Sequence, residues 1–187
     1  MIYPQKLSSK KSGELINILL IFSFIIAGIL VLINKLTTPN VPWAAIANSG
    51  IIYVWITVIF SLKRNTNIAK HVLLQMIITS LVILYIDQRL NFYGWSITIG
   101  IPIIIMVANV TMLVLSIVGH KNYVKYALYQ LIIVFLSVIQ AILALNGRLQ
   151  FQILNKIAIG ISLFNFIVSL ILSYKEFYKM MVRKFHM

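Results

Sequence analysis

The chain has 187 residues, of which 61% are apolar and only 10% are charged. A water-soluble domain carries about 45–50% apolar and roughly 25% charged residues, so this composition excludes that class. Six membrane-spanning helices of about 20 residues each occupy about 120 positions. We therefore expect a single polytopic membrane domain over residues 1–187, with no length left for a soluble catalytic domain.

The charge is strongly basic, with 16 Lys and Arg against three Asp and Glu, and a formal net charge of +13. In a soluble protein such an excess would suggest nucleic acid as a partner. Here the bases fall between apolar runs, so we expect a lipid bilayer as the partner and no nucleic-acid binding. Cysteine is absent, which removes disulfides and thiolate metal sites.

Six apolar runs predict the secondary structure. They cover residues 15–33, 43–62, 72–86, 95–118, 126–145 and 153–172. Each lies in or near the length range of a membrane span, although the third is short. Each run must be helical, because hydrocarbon offers the backbone no water to bond. The predicted fold is an all-α bundle of six transmembrane helices.

The bases are distributed unequally between the two predicted faces of the membrane. Twelve fall on the face that holds both termini, and only Lys35, Arg89, Arg148 and Lys156 fall on the other. Because Lys and Arg concentrate on the cytoplasmic side, we expect both termini to be cytoplasmic. The expected location is the bacterial cytoplasmic membrane.

The C-terminal segment, residues 174–187, alternates aromatic and basic side chains at helical spacing. This pattern is typical of a short amphipathic helix lying on the anionic cytoplasmic leaflet. A straight continuation of the sixth helix, with snorkelling lysines, explains it equally well.

A weak internal repeat suggests tandem helical hairpins. Residues 70–78 align with 125–133, and residues 97–101 align with 157–161. Helices three and four are therefore candidate parallel copies of helices five and six, an arrangement found in transporters. Chance similarity between Ile-, Leu- and Val-rich segments is the alternative.

Carboxamide side chains inside the apolar runs are the main candidate functional residues. The candidates are Asn48, Gln75, Asn109, Gln130 and Asn165, with Asn17 and Gln140 as further amides. An amide in hydrocarbon is costly without a partner, so each should face another helix. The group forms either a polar lining for a solute pocket or a set of hydrogen bonds between helices.

Two further features stand near the predicted outer ends of the helices. Gly100 and Pro102 in the fourth run predict a helix kink, because proline lacks a backbone donor. Asp87 and Arg89 are charged residues at the outer end of helix three. We expect both to be solvated loop residues, with a gate or an extracellular ligand contact as the alternative.

Catalytic chemistry is not expected. The histidines and acids are scattered, at His71, His120, His186, Glu14, Asp87 and Glu176. They form no carboxylate pair and no metal-ligand spacing within one segment. We therefore predict no catalytic residue, no metal site and no cofactor.

Several short stretches resemble a known group of sequences. They are Tyr3 with Pro4, residues 34–39, 51–57, 73–75 and 94–96, and Pro102 with Asn109. The chain resembles uncharacterised six-helix membrane proteins of Gram-positive bacteria, defined only as a domain of unknown function. Relatives often carry a cysteine zinc ribbon before the Tyr-Pro pair, which is absent here. The resemblance implies the same topology and no particular activity.

Three functions are compatible with these features. The first is a module that binds or transports a small neutral solute or lipid among the intramembrane amides. The second is an interaction, immunity or assembly factor that binds another membrane protein or a second copy of itself. The third is the substrate-binding subunit of an ATP-driven vitamin transporter. The chain resembles such subunits in its length and in its basic inner face.

The topology gives a direct prediction. Single reactive labels introduced at Arg64 and at Lys121 should both be modified from the cytoplasmic face, because both positions lie in base-rich loops. Accessibility labelling of intact cells measures this. Labels on opposite faces would contradict the topology.

Overall fold

The computed structural model describes residues 9–62, 67–118, 123–146 and 153–185. Within these ranges the chain is helical and contains no strand, which confirms the all-α prediction for this part of the molecule. The helices are α1 (Ser9–Thr37), α2 (Trp43–Ser61), α3 (Ile68–Arg89), α4 (Ile101–Val118), α5 (Tyr123–Asn146) and α6 (Ile153–Phe185). A π-helical turn, Ser96–Gly100, directly precedes α4.

Within the described residues, five stretches of helix are long and apolar enough to cross a membrane. They are Gly13–Thr37, Trp43–Ser61, Ile68–Arg89, Ser96–Val118 and Ile153–Ile171. In α5, the apolar stretch is Leu128–Leu143, which is shorter than a full span. The third predicted run lengthens at both ends to the 22 residues of α3. The loop bases Arg64, Lys121 and Arg148 lie outside the described residues.

The chain divides into two compact units, Met1–Trp55 and Ile56–Met187. In the first unit, Asn34 fixes the turn between α1 and α2. Its Oδ1 accepts a hydrogen bond from the backbone N–H of Ala44 at 3.0 Å, and its Nδ2 donates to the carbonyl of Val41 at 2.8 Å. Asn34 therefore satisfies one of the free N–H groups at the start of α2.

In the second unit, α4 and α5 pack against each other, and each also contacts α3 and α6. Small and aliphatic side chains fill the space between these helices. The buried core is Ala69, Met76, Ile97, Ile101, Ile105, Ala108, Met112, Tyr126, Ile133 and Ala158. At the start of α3, Asn67 caps the helix by accepting from the backbone N–H of Ala69 at 3.4 Å.

The segment around Gly100 and Pro102 departs from α-helical geometry. The N–H of Ile101 donates to the carbonyl of Ser96, five residues earlier, which is the π-helical pattern. Pro102 follows this widened turn as the second residue of α4. A Cβ atom at Gly100 would lie 3.1 Å from Cγ2 of Ile83, so glycine permits a close approach of α3 here.

The sixth helix continues without interruption through Phe185, over 33 residues. At 1.5 Å per residue it is about 50 Å long, which exceeds the roughly 30 Å of a hydrocarbon core. The backbone of residues 174–185 continues α6. It therefore agrees with the second interpretation of the C-terminal segment, a straight continuation of the sixth helix. His186 and Met187 lie outside the described residues.

Candidate functional site

Three of the amides singled out from the sequence meet in the core of the second unit. Gln130 Nε2 donates to Asn109 Oδ1, and Asn165 Nδ2 donates to the backbone carbonyl of Asn109 at 3.1 Å. Asn109 Nδ2 in turn donates to Ser162 Oγ at 2.8 Å and to the carbonyl of Ile105 at 2.9 Å. These bonds join α4, α5 and α6, because Asn109 bonds to both of the other amides.

Asn109 uses all of its hydrogen-bonding capacity inside this network. Its two side-chain N–H donors have two acceptors, and its side-chain oxygen accepts from Gln130 and, at 3.5 Å, from Asn165. The side chain is fully buried. No polar atom of Asn109 is therefore left for a solute.

The other two candidate amides make separate contacts. Gln75 Nε2 donates to Thr57 Oγ1 at 3.0 Å. Asn48, in the first unit, donates to the backbone carbonyl of Ala27 at 3.4 Å, and its Oδ1 has no partner within the described structure. The structure thus brings together three of the five candidates and assigns the remaining two to other neighbours.

A second buried amide pair lies between α5 and α6. Gln140 Nε2 donates to Asn155 Oδ1 at 2.9 Å and to the carbonyl of Ile97 at 2.8 Å. Gln140 is 4% exposed and Asn155 is fully buried, yet Gln140 Oε1 and Asn155 Nδ2 have no hydrogen-bond partner within the described residues. The pair therefore presents one unused acceptor and one unused donor.

Sequence reasoning gave Asn155 no role, because it lies near the start of the last apolar run. One signal was available. A helical hairpin places the end of one helix beside the start of the next, which brings Gln140 near Asn155. Pairing amides across the predicted hairpin would have identified this site.

An apolar cavity of about 230 Å³ has Gln140, but not Asn155, in its lining. Its lining comes from three elements, namely α3, the π-turn with α4, and α5. The lining residues are Met76, Ile77, Ser80, Leu81, Leu84, Ile97, Ile101, Ile105, Leu136, Ile139, Gln140 and Leu143. Ser80 Oγ is occupied by a bond to the carbonyl of Met76 at 2.7 Å. Ser80 and Gln140 are thus the polar side chains in a lining otherwise suited to an apolar molecule.

The expectation that Asp87 is a solvated loop residue is wrong. Asp87 lies in the last turn of α3 and is fully buried. Its Oδ1 accepts from the N–H of Tyr93 at 3.0 Å, and its Oδ2 accepts from the N–H and the hydroxyl of Ser96 at 3.2 and 2.6 Å. Burial is tolerated because three donors replace water. Arg89 is exposed, with its guanidinium 5.0 Å from the ring centre of Tyr85.

The turn that surrounds Asp87 has an unusual backbone. Asn91, Phe92 and Gly94 have positive φ angles of 69°, 52° and 79°. Such angles are easy for glycine, tolerated by asparagine and rare for a bulky residue such as Phe92. The carboxyl group of Asp87 bonds to Tyr93 within this turn and to Ser96 after it, so it holds the start of the π-turn against the end of α3.

The described residues contain no group of three or more His, Cys, Asp and Glu that could hold a metal ion. His71 is the one histidine within them, and its ring stacks on Phe60 with the centroids 5.6 Å apart. His120 and His186 lie outside the described residues. The absence of a catalytic residue and of a cofactor stays a prediction.

The geometry defines an all-helical protein whose apolar helices are compatible with a membrane protein. The sequence model of a protein family of unknown function (DUF6320) matches residues 3–187 of the chain. The chain belongs to this family, which confirms the expected membership in an uncharacterised family. No curated protein and no solved structure matches the chain.

The amide network gives a stability prediction. Asn109→Leu should lower the free energy of unfolding by roughly 1–3 kcal/mol, since bonds between helices in membranes average about 0.6 and reach about 1.7 kcal/mol each. Unfolding of the purified protein in mixed detergent and SDS micelles measures the change. Thr111→Val is the control, because the Thr111 hydroxyl bonds only within α4, to Val107. Equal effects of the two variants would contradict the central role of Asn109.

The buried carboxyl group of Asp87 gives a second stability prediction. Asp87→Ala should cost about 3 kcal/mol of unfolding free energy, because it leaves buried donors without an acceptor. Asp87→Asn should cost nearly as much, since an N–H₂ group then faces a donor. Arg89→Ala, two residues away and exposed, should change the same unfolding measurement by less than about 0.5 kcal/mol. An unaffected Asp87→Ala variant would show that the turn does not depend on the carboxyl group.

Proposed function

We propose that the chain is a multi-pass membrane protein that binds a lipid or another apolar molecule in the cavity between α3, α4 and α5. The asymmetry of Lys and Arg supports cytoplasmic termini and a location in the bacterial cytoplasmic membrane. The proposed role is binding within the bilayer and not catalysis or conduction of a polar solute.

The observation that carries this proposal is the closed network of Asn109, Gln130 and Asn165. A pathway for a polar solute needs unused donors and acceptors along its wall. The polar side-chain atoms of Asn109 form hydrogen bonds to α5 and α6 instead. The amides of the core therefore support helix packing, and the space beside them supports an apolar occupant.

The cavity itself supplies the second argument. Its α3 wall runs over residues 76–84, which corresponds to a length of about 12 Å. Apart from Ser80 and Gln140, aliphatic side chains and Met76 line it. A hydrocarbon chain fits such a wall, since it demands no hydrogen bonds and fills space that water would occupy at a cost.

A second candidate function is attachment to another membrane protein or to a second copy of the chain. The observation that favours it is α1, whose most apolar 18-residue window has no buried residue within the described structure. Large apolar side chains such as Ile18, Phe22 and Phe24 are 59–72% exposed. The third alternative, a vitamin-transporter subunit, gains no comparable support from the amides.

Photolabelling tests the binding proposal. Hexadecyl methyl ether carrying a diazirine, added to vesicles that contain the full chain, should label α3, α4 and α5 in a saturable manner. Ser80→Phe, which places a ring in the cavity, should reduce the saturable labelling at least fivefold. Val107→Phe is the matched control, because Val107 is 61% exposed on α4 and is not part of the cavity lining. Labelling that rises linearly at every position would contradict the proposal.

A further inference from the structure

Two cavities lie next to each other along α3. Leu81 and Leu84 belong to the lining of the apolar cavity and also to that of a second cavity, of about 450 Å³. The rest of the second lining comes from the end of α3 and the turn after it, namely Tyr85, Gln88 and Phe92. Gln88 and Phe92 are exposed, so the second cavity opens to the surroundings of the protein. The two cavities therefore share a wall, and the second one has the more polar and more accessible lining.

In the proposed membrane location, α3 determines the depth of both cavities. The helix has 22 residues and is about 33 Å long, close to the roughly 30 Å of a hydrocarbon core. The α3 residues of the apolar cavity lie within residues 76–84, from near the middle of the helix to within about 8 Å of its C-terminal end. The apolar cavity thus lies within one leaflet, and the second cavity lies near the headgroups of that leaflet.

Arg89 places a positive charge beside the second cavity. Leu81, Tyr85 and Arg89 are spaced four residues apart, so they lie on one side of α3. The exposed guanidinium lies 5.0 Å from the ring centre of Tyr85, which lines the cavity. The neighbouring carboxyl group of Asp87 is buried and bonds to donors of the following turn. Because a guanidinium offers paired N–H donors to phosphate oxygens, this position favours a phosphate group.

We propose that the occupant is a phospholipid of this leaflet, with one acyl chain in the apolar cavity and its phosphate group beside Arg89. This inference rests on the proposed function and names the class of lipid that the cavity takes. Leu84 and Arg89 are about 8 Å apart along the helix axis. The headgroup region of a bilayer extends about 5–8 Å beyond the hydrocarbon on each side, so one molecule reaches from the cavity to the guanidinium.

Two probes that differ only in the phosphate group test the inference. The full chain in maltoside micelles is labelled with a lysophosphatidic acid that carries a diazirine in its acyl chain and, separately, with the monoacylglycerol of the same chain. For the unmodified protein we expect half-saturation at an at least fivefold lower concentration of the phosphate probe, because a charged hydrogen bond to the guanidinium is then gained. The labelled peptides should come from α3, α4 and α5.

Three variants test the parts of the site. Arg89→Gln should bring the two half-saturation concentrations together, and the exposed position lets the variant fold. Lys35→Gln is the matched control, because it removes one exposed positive charge from the same predicted face of the membrane, and it should leave the phosphate preference intact. Ser80→Phe should raise the half-saturation concentration of both probes at least fivefold, because the chain and the phosphate belong to one ligand.

The outcomes separate this inference from the proposed function. Equal half-saturation by both probes in the unmodified protein would overturn the phosphate site and leave the proposed function standing. Absence of saturable labelling by either probe would overturn both. A phosphate preference that survives Arg89→Gln, or that Lys35→Gln also removes, would show attraction to the overall positive charge and would overturn the inference. If Ser80→Phe weakened labelling by the monoacylglycerol alone, the phosphate would be held without the chain, as for a soluble phosphate ester, and a phospholipid would be the wrong ligand.

Discussion

Hydrocarbon offers a polar side chain no hydrogen-bond partner, so each amide placed among apolar helices must find its partner in the protein. Asn109 meets this requirement by bonding to Gln130, Ser162 and Asn165. Because these partners lie on α5 and α6, the bonds fix the rotation of α4 about its own axis. Ile105 and Ile101, which line the cavity, come four and eight residues before Asn109 and so lie on the same side of α4. The bonds of Asn109 thus also orient this part of the cavity wall.

The same requirement governs the turns. Asn34 and Asp87 each lie in the last turn of a helix and accept a hydrogen bond from a backbone N–H at the start of the next. The donors, Ala44 and Ser96, come ten and nine residues later, and each directly follows a tryptophan. An acceptor in this position compensates the free N–H groups of a helix N-terminus. This shared device relates the α1–α2 turn to the α3–α4 turn.

The helices were predictable from the sequence because their apolar runs are long, and an apolar surrounding would leave the backbone no hydrogen-bond partner outside the helix. The hydrogen-bond partners of each amide were not predictable, since they depend on the rotation of every helix about its axis. Asp87 shows the difference clearly. A carboxyl group next to Arg89 at the end of an apolar run indicates a solvated position. It is buried only because the turn passes through positive φ angles and brings Ser96 back onto it. Local sequence does not encode that return.

Two amide clusters in the same unit therefore differ in a way that packing alone does not explain. The cluster around Asn109 closes the bonds of its central amide, as helix association requires. The pair of Gln140 and Asn155 holds α5, α6 and the π-turn together, yet it leaves one donor and one acceptor unused. If stability alone had determined these residues, apolar side chains of similar volume would serve without an unpaired group. Gln140 also lines the apolar cavity, whereas Asn155 lies outside its lining, so the pair joins the cavity wall to α6.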